Sequence, residues 1–201
     1  MSVRWILASH NPGKLAEMRS LLADLPMELV DARSQGVTEP AETASTFVEN
    51  ALLKARHCAR LTGLPSLADD SGLLVDALDG GPGLHTARYA GPQATASTNI
   101  DKLLGALAGV PAERRGARFV AVVVWLAHAE DPLPVIAQGI WHGRILEQRD
   151  GAGGFGYDPV FFDPELGQSA ARMDPAVKDR RSHRGQALAQ LRLALSQRTA
   201  P

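Results

Sequence analysis

The chain of 201 residues is 45% apolar and 21% charged, a globular mixture large enough to bury a real core. Its 21 Lys and Arg nearly cancel its 22 Asp and Glu, and the net charge of −1 excludes a field able to hold nucleic acid or an acidic membrane, while a small phosphate ligand needs only a few local cations. The single Cys58 excludes an internal disulfide, no apolar run reaches the roughly 20 residues of a bilayer helix, and the N-terminus lacks a signal-peptide layout, so the expectation is a soluble cytoplasmic protein.

The first predicted element is a buried strand, Val3 to Ala8, followed by Ser9-His10-Asn11-Pro12-Gly13-Lys14 and then by leucines at helical spacing from Leu15 to Leu22. A strand, a short turn and a helix N-terminus make a ready anion site, because free N–H groups and the positive end of the helix dipole point at one spot. Lys14 adds an ammonium, and Ser9 and Asn11 add neutral hydrogen-bonding groups. The competing reading is a simple cap, with Asn11 at the N-cap, Pro12 at the first helical position and Lys14 solvated.

Ala44 to Thr62 has the clearest helical pattern. Thr46 and Glu49 have capping-box spacing, Phe47, Ala51, Ala55, Cys58 and Ala59 share one face, Asn50 and Lys54 share another, and Gly63 ends it. Pro65 to Gly72 then reads as a short strand that stops at Asp69-Asp70-Ser71-Gly72. Side chains alternate along a strand, so only one of the two aspartates is expected to enter a given cleft. Such a carboxylate with one more acid suits Mg²⁺, which keeps several waters and shares a substrate's phosphates; an Asx-turn is the plain alternative. Glu39, Glu42 and Glu49 are the candidates for the second acid. Glu49 is explained as a capping partner, whereas Glu42 lies in a polar loop, able to turn into a cleft; Asp76 and Asp79 are expected on the surface.

Phe119 to Leu126 predicts a central strand, and the turn from His128 to Pro132 joins it to Val135–Trp141 as an antiparallel hairpin. The glycine-rich stretch Gly151 to Pro159 carries Phe155-Gly156-Tyr157-Asp158, in which aromatic rings suit stacking on a nucleobase and the carboxylate suits ring N–H groups; buried rings in a tight loop are the alternative. Lys178 and Ser182-His183-Arg184-Gly185, at the start of the last helix, supply hydrogen-bond donors. Alternating elements with one hairpin predict an α/β protein with a mixed sheet. Lys14 is followed by Leu15, so there is no P-loop hydroxyl, and no G-x-G-x-x-G opens the first helix.

Together these segments closely resemble the inosine/xanthosine triphosphate pyrophosphatase family, the house-cleaning enzymes for non-standard purine nucleoside triphosphates. The match runs nearly end to end: Ser9-x-Asn11-x-x-Lys14, Thr46-Phe47-x-Glu49-Asn50-Ala51-x-x-Lys54-Ala55, Ala68 to Gly72, Pro82-Gly83-x-x-x-Ala87-Arg88-Tyr89, Gly154 to Pro159, Lys178 and Ser182 to Gly185. The resemblance implies one catalytic domain over 1–201, with a mixed central sheet, flanking helices and two lobes around an active-site cleft. It implies hydrolysis of ITP, dITP or XTP to the monophosphate and pyrophosphate by a Mg²⁺-activated water attacking the α-phosphorus, usually in a homodimer. By position, Glu42 and Asp70 correspond to the metal carboxylates, with Asp70 also the proton acceptor. Ser9, His10, Asn11, Pro12, Gly13, Lys14, Lys54 and Ser71 correspond to triphosphate contacts, and Phe155, Gly156, Tyr157, Asp158, Lys178, His183 and Arg184 to the purine site. In one departure, Ala41 stands before Glu42 where relatives often have a second acid. A nucleotide-binding module that does not cleave its ligand is the competing class; the retained acids and lysines argue against it.

Overall fold

The computed structural model describes residues 3–198. The chain order is β1 (Val3–Ala8), α1 (Pro12–Leu21), β2 (Met27–Asp31), α2 (Phe47–Thr62), β3 (Ser66–Val75), α3 (Ala96–Ala106), β4 (Gly116–Leu126), β5 (Val135–Ile145), β6 (Phe161–Asp163), β7 (Gln168–Ser169), α4 (Pro175–Arg181) and α5 (His183–Arg198). The strands form one sheet in the order β2-β1-β3-β4-β5-β6-β7. β1 is parallel to β2 and β3, while β6 is antiparallel to β5 and β7, so the sheet is mixed, as expected.

The chain divides into two compact units. Among the described residues, unit 1 holds residues 3–70, 121–139 and 184–198, and unit 2 holds Ser71–Val120 and Ile140–His183. In unit 1 both sheet faces are buried. Trp5, Leu7, Leu67, Ala121, Val123 and Trp125 pack with Leu15 and Met18 of α1 and with Ala187, Leu188 and Leu191 of α5. The alternate residues Ile6, Ala8, Val122, Val124 and Leu126 pack on Ala51, Ala55, Cys58 and Ala59 of α2. This two-sided burial is why β4 reads as an unbroken apolar run rather than an alternation. Small side chains on α2 let the helix lie close to the sheet. Burial there pushes the Cys58 thiol up to about 11.

Unit 2 has its own core: Leu73 and Val75 of β3, Ile100 and Leu103 of α3, Phe119, Trp141, Ile145 and Phe161. Its buried Trp141 donates Nε1–H to Asp163 Oδ2 at 2.8 Å, and Arg181 Nε donates to the same oxygen at 2.8 Å. α3 carries no signal picked out by sequence; its capping box uses Thr95 and Thr98 rather than an acid.

One expectation is corrected. The strand does not stop at the aspartates: β3 runs straight through Asp69, Asp70, Ser71 and Gly72 to Val75. Carboxylates are tolerated inside a buried strand where cations neutralise them, and both aspartates have such partners.

Candidate active site

In unit 1, the turn after β1 is held on both sides. Asn11 Oδ1 accepts from the backbone N–H groups of Gly13 (3.0 Å) and Lys14 (3.2 Å), with Pro12 opening α1. Two donors that the anion-site reading leaves open are thus engaged by the cap. Ser9 Oγ accepts from the Asn11 N–H at 3.3 Å, and the His10 N–H donates to Glu39 Oε1 at 2.9 Å. Glu39 is thereby fastened to the turn. Thr46 caps α2, its Oγ1 accepting from the Glu49 N–H at 3.3 Å, but the Glu49 carboxylate accepts from Thr46 Oγ1 at 2.7 Å rather than from the Thr46 backbone N–H, so the expected box is half made. Glu42 shares the Lys54 ammonium with Asp70.

The two aspartates take different partners, as alternation along β3 demands. Lys54, on the buried polar face of α2, places its ammonium 2.7 Å from Asp70 Oδ1 and 3.2 Å from Glu42 Oε1. Burial works against the Lys54 charge, but Asp70, Asp69 and Glu42 outweigh it and hold its pKa above the ordinary value. Burial pushes the Asp70 carboxyl above the usual carboxylate range, against the pull of Lys54 and Lys14.

Asp69, which sequence reading leaves without a role, is an ion-pair hub. Its Oδ2 lies 3.0 Å from Arg184 Nε and 3.3 Å from Lys14 Nζ, and Arg184 Nη1 also bonds Glu17 of α1. Lys14 is therefore held by a buried carboxylate; burial and its cationic neighbours Lys54 and Arg184 depress its pKa despite Asp69.

In unit 2, Asp158 organises the glycine-rich loop. Its Oδ2 accepts from the Phe155 N–H at 2.7 Å and from Lys178 Nζ at 2.6 Å, and Lys178 Nζ stands 4.9 Å from the centre of the Phe155 ring. Gly154 sits at φ +70°, and a Cβ there would fall 2.0 Å from Asp158 Oδ2, so only glycine allows this closure. Tyr157 departs from the stacking expectation. Its ring belongs to the unit 2 core, and its hydroxyl donates to the Thr86 carbonyl at 2.9 Å, because a ring within that apolar cluster gains more by burial than by standing in water. Phe155 is the half-buried ring of the pair. His183 stacks on Phe119 with centroids 4.8 Å apart and planes at 12°, and Ser71 lies half-buried on β3.

A model of the Ham1 family matches residues 5–194. The chain belongs to the Ham1 family. Among its relatives, a protein of Xanthomonas oryzae pv. oryzae named dITP/XTP pyrophosphatase is 60% identical over 186 residues, 92% of this chain and 94% of its own. A solved HAM1 protein of Coxiella burnetii is 46% identical with a TM-score of 0.89, covering 97% of this chain and 99% of that one. The Staphylococcus aureus Ham1 protein is 34% identical with a TM-score of 0.85, covering 98% and 100%. The Ham1 fold is thus the mixed-sheet α/β arrangement read from the sequence. In this Ham1 chain Asp69 and Glu17 join the cluster beside the residues the sequence points to, held there by Arg184 and Lys14.

Proposed function

We propose that the chain hydrolyses non-standard purine nucleoside triphosphates (dITP, XTP and ITP) to the monophosphate and pyrophosphate. The observation that carries this reading is the convergence of Glu42 and Asp70 on one ammonium, 3.2 and 2.7 Å from Lys54 Nζ, in a chain whose relatives bear the name dITP/XTP pyrophosphatase.

Two carboxylates close enough to share one ammonium are a donor set of hard oxygens that fits Mg²⁺, an ion that retains waters and takes the rest of its shell from phosphates. When bound there, the ion supplies positive charge to the phosphates and acidifies water. Asp70, its pKa raised by burial, is the base that takes the proton of the attacking water. The water's oxygen bonds to the α-phosphorus as the bond to the bridging oxygen of pyrophosphate breaks. Lys14 and Lys54 offset the charge developing on that leaving group. Ser9, Asn11 and Ser71 supply further donors to the phosphates.

Base selection is assigned to Phe155 as the stacking face and to Lys178 and His183 as donors, whereas Arg184, which the family resemblance places among the purine contacts, is held by Asp69 and Glu17. Donors pair with the C6 oxygen of hypoxanthine and xanthine but oppose the amino group of adenine, and a buried polar mismatch of this kind is worth factors of about 10⁴. A cytoplasmic, homodimeric enzyme completes the proposal; the buried thiol of Cys58 suits a reducing compartment.

Pyrophosphate release measured over dITP, XTP, ITP, ATP and GTP, with and without Mg²⁺, tests the proposal. Expected is release from the first three that depends on the ion. Equal release from ATP, or none from dITP, overturns it.

A further inference from the structure

Lys54 holds its ammonium between Glu42 Oε1 and Asp70 Oδ1, and an ion ligated by those same two oxygens would compete with it for that space. Lys54 reaches it from α2, with a side chain only 8% exposed, and Asp70 and Glu42 present single oxygens to it at 2.7 and 3.2 Å. A magnesium ion held by both oxygens needs them at about 2.0–2.1 Å, inside the space the ammonium fills. Sterics and charge agree here. Two carboxylates and one ammonium leave the cluster short by one positive charge, and a divalent ion overcompensates if the ammonium stays beside it. Like charges so close cannot both be held in a buried cluster without strong repulsion.

We propose that Lys54 is an internal counter-ion of this cluster, which a divalent ion must expel before both carboxylates can bind it. Rested on the metal-site reading above, this gives Lys54 two successive partners: the carboxylates first, and the substrate's phosphates once the ion has taken its place. The ammonium holds Glu42 and Asp70 close together between turnovers, at the cost of weaker ion binding. Ion affinity and protein stability are therefore coupled through this one side chain in opposite directions.

The test is Mg²⁺ binding to the full chain without nucleotide, by titration calorimetry and by the rise in Tm with Mg²⁺, for wild type, Lys54→Met, and Lys54→Met combined with Glu42→Gln. Lys54→Met keeps the apolar stem and removes the charge. Expected for Lys54→Met are a lower Tm without the ion, a Mg²⁺ Kd lower by about tenfold or more, and a larger Mg²⁺-induced rise in Tm, as removing a competitor from a half-buried acid pair requires. Adding Glu42→Gln should abolish that gain. If Lys54→Met does not fold by circular dichroism, Lys54→Gln, with a neutral polar head, is read in the same way. Affinity unchanged or weaker in the folded variant overturns the proposal, as does a lack of binding in all three proteins. The functional reading is scored separately by pyrophosphate release from dITP by wild type, so a wild type that turns over dITP while Lys54→Met binds Mg²⁺ no more tightly sinks the counter-ion role alone.

Discussion

Arg184 Nε donates to Asp69 Oδ2 at 3.0 Å, and neither side chain is more than 2% exposed. The pair ties the first turn of α5 to the middle of β3, and Lys14 shares the same carboxylate oxygen at 3.3 Å. Buried charges of this kind stabilise little over an apolar replacement, but removing one member is costly because its partners are left unpaired in a poor solvent.

Asp69→Ala is therefore expected to destabilise unit 1 by about 3–5 kcal/mol, read as a fall in the urea midpoint and in Tm. Glu17→Ala, which takes away a second carboxylate from Arg184 but leaves Asp69, should cost less. Equal stability of Asp69→Ala and wild type would show that the hub is replaceable by water.

Asp70→Asn keeps the shape of the side chain and removes its basicity. Pyrophosphate release from saturating dITP with Mg²⁺ should fall by about 10²–10⁴, the usual contribution of a positioned base, while the circular dichroism spectrum is unchanged. Undiminished turnover would remove Asp70 from the proton-transfer role.

Acid should unfold the protein partly through Asp163. Burial opposes the charge of this carboxylate, but Arg181, Trp141 Nε1–H and the N–H groups of Glu165 and Leu166 outweigh burial and hold its pKa below the ordinary value. A carboxyl depressed by folding contributes stability that is fully present above its unfolded value, about 3.9, and is lost as pH falls through the folded value. Urea midpoints across pH 2 to 7 should thus decline steeply at the acid end for wild type. Asp163→Asn should begin lower and decline less, having no carboxyl to protonate.

The two rings of the glycine-rich loop should separate in kinetics. Tyr157→Phe deletes one hydrogen bond to the Thr86 carbonyl, worth about 1 kcal/mol of stability, and should leave the KM for dITP near that of wild type. Phe155→Ala deletes the proposed stacking face, worth about 1–3 kcal/mol per base, and should raise KM by roughly 5- to 150-fold. A larger KM effect from Tyr157→Phe would reverse the assignment of the two rings.

Gly154→Ala should open the same loop. At φ +70° an added methyl is strained, and it lies on Asp158 Oδ2, so the bonds from Phe155 N–H and Lys178 cannot both persist. Selectivity for dITP over dATP should drop with it in a competition assay, whereas a variant with undiminished selectivity would show that loop closure is dispensable.

Legibility in the sequence followed the strength of local signals. Helix α2 is readable because three independent cues agree: the capping spacing of Thr46 and Glu49, the run of small residues on one face and the Gly63 terminus, whose φ is +68°. β3 was truncated because acids disfavour strands, and only tertiary partners 15 or more residues away make them tolerable: Lys54 for Asp70, Lys14 and Arg184 for Asp69. α3 was missed because Thr98 takes the place of the usual acidic partner in its cap. Among the three glutamates only Glu49 has a local explanation in the sequence; the choice of Glu42 rests on the family resemblance, and the structure places Glu42 Oε1 3.2 Å from Lys54 Nζ. Asp69 went unassigned since no local pattern distinguishes a carboxylate that anchors two cations from one that merely ends a strand.

The Cys58 thiol, on the sheet-facing side of α2 and pushed up to about 11, has a practical corollary. Only the thiolate is nucleophilic, so an alkylating reagent at neutral pH finds neither access nor ionised sulfur while the helix is docked. Each modified molecule has first come apart around its sole sulfhydryl. One mass increment per chain therefore counts opening events directly, without any engineered label.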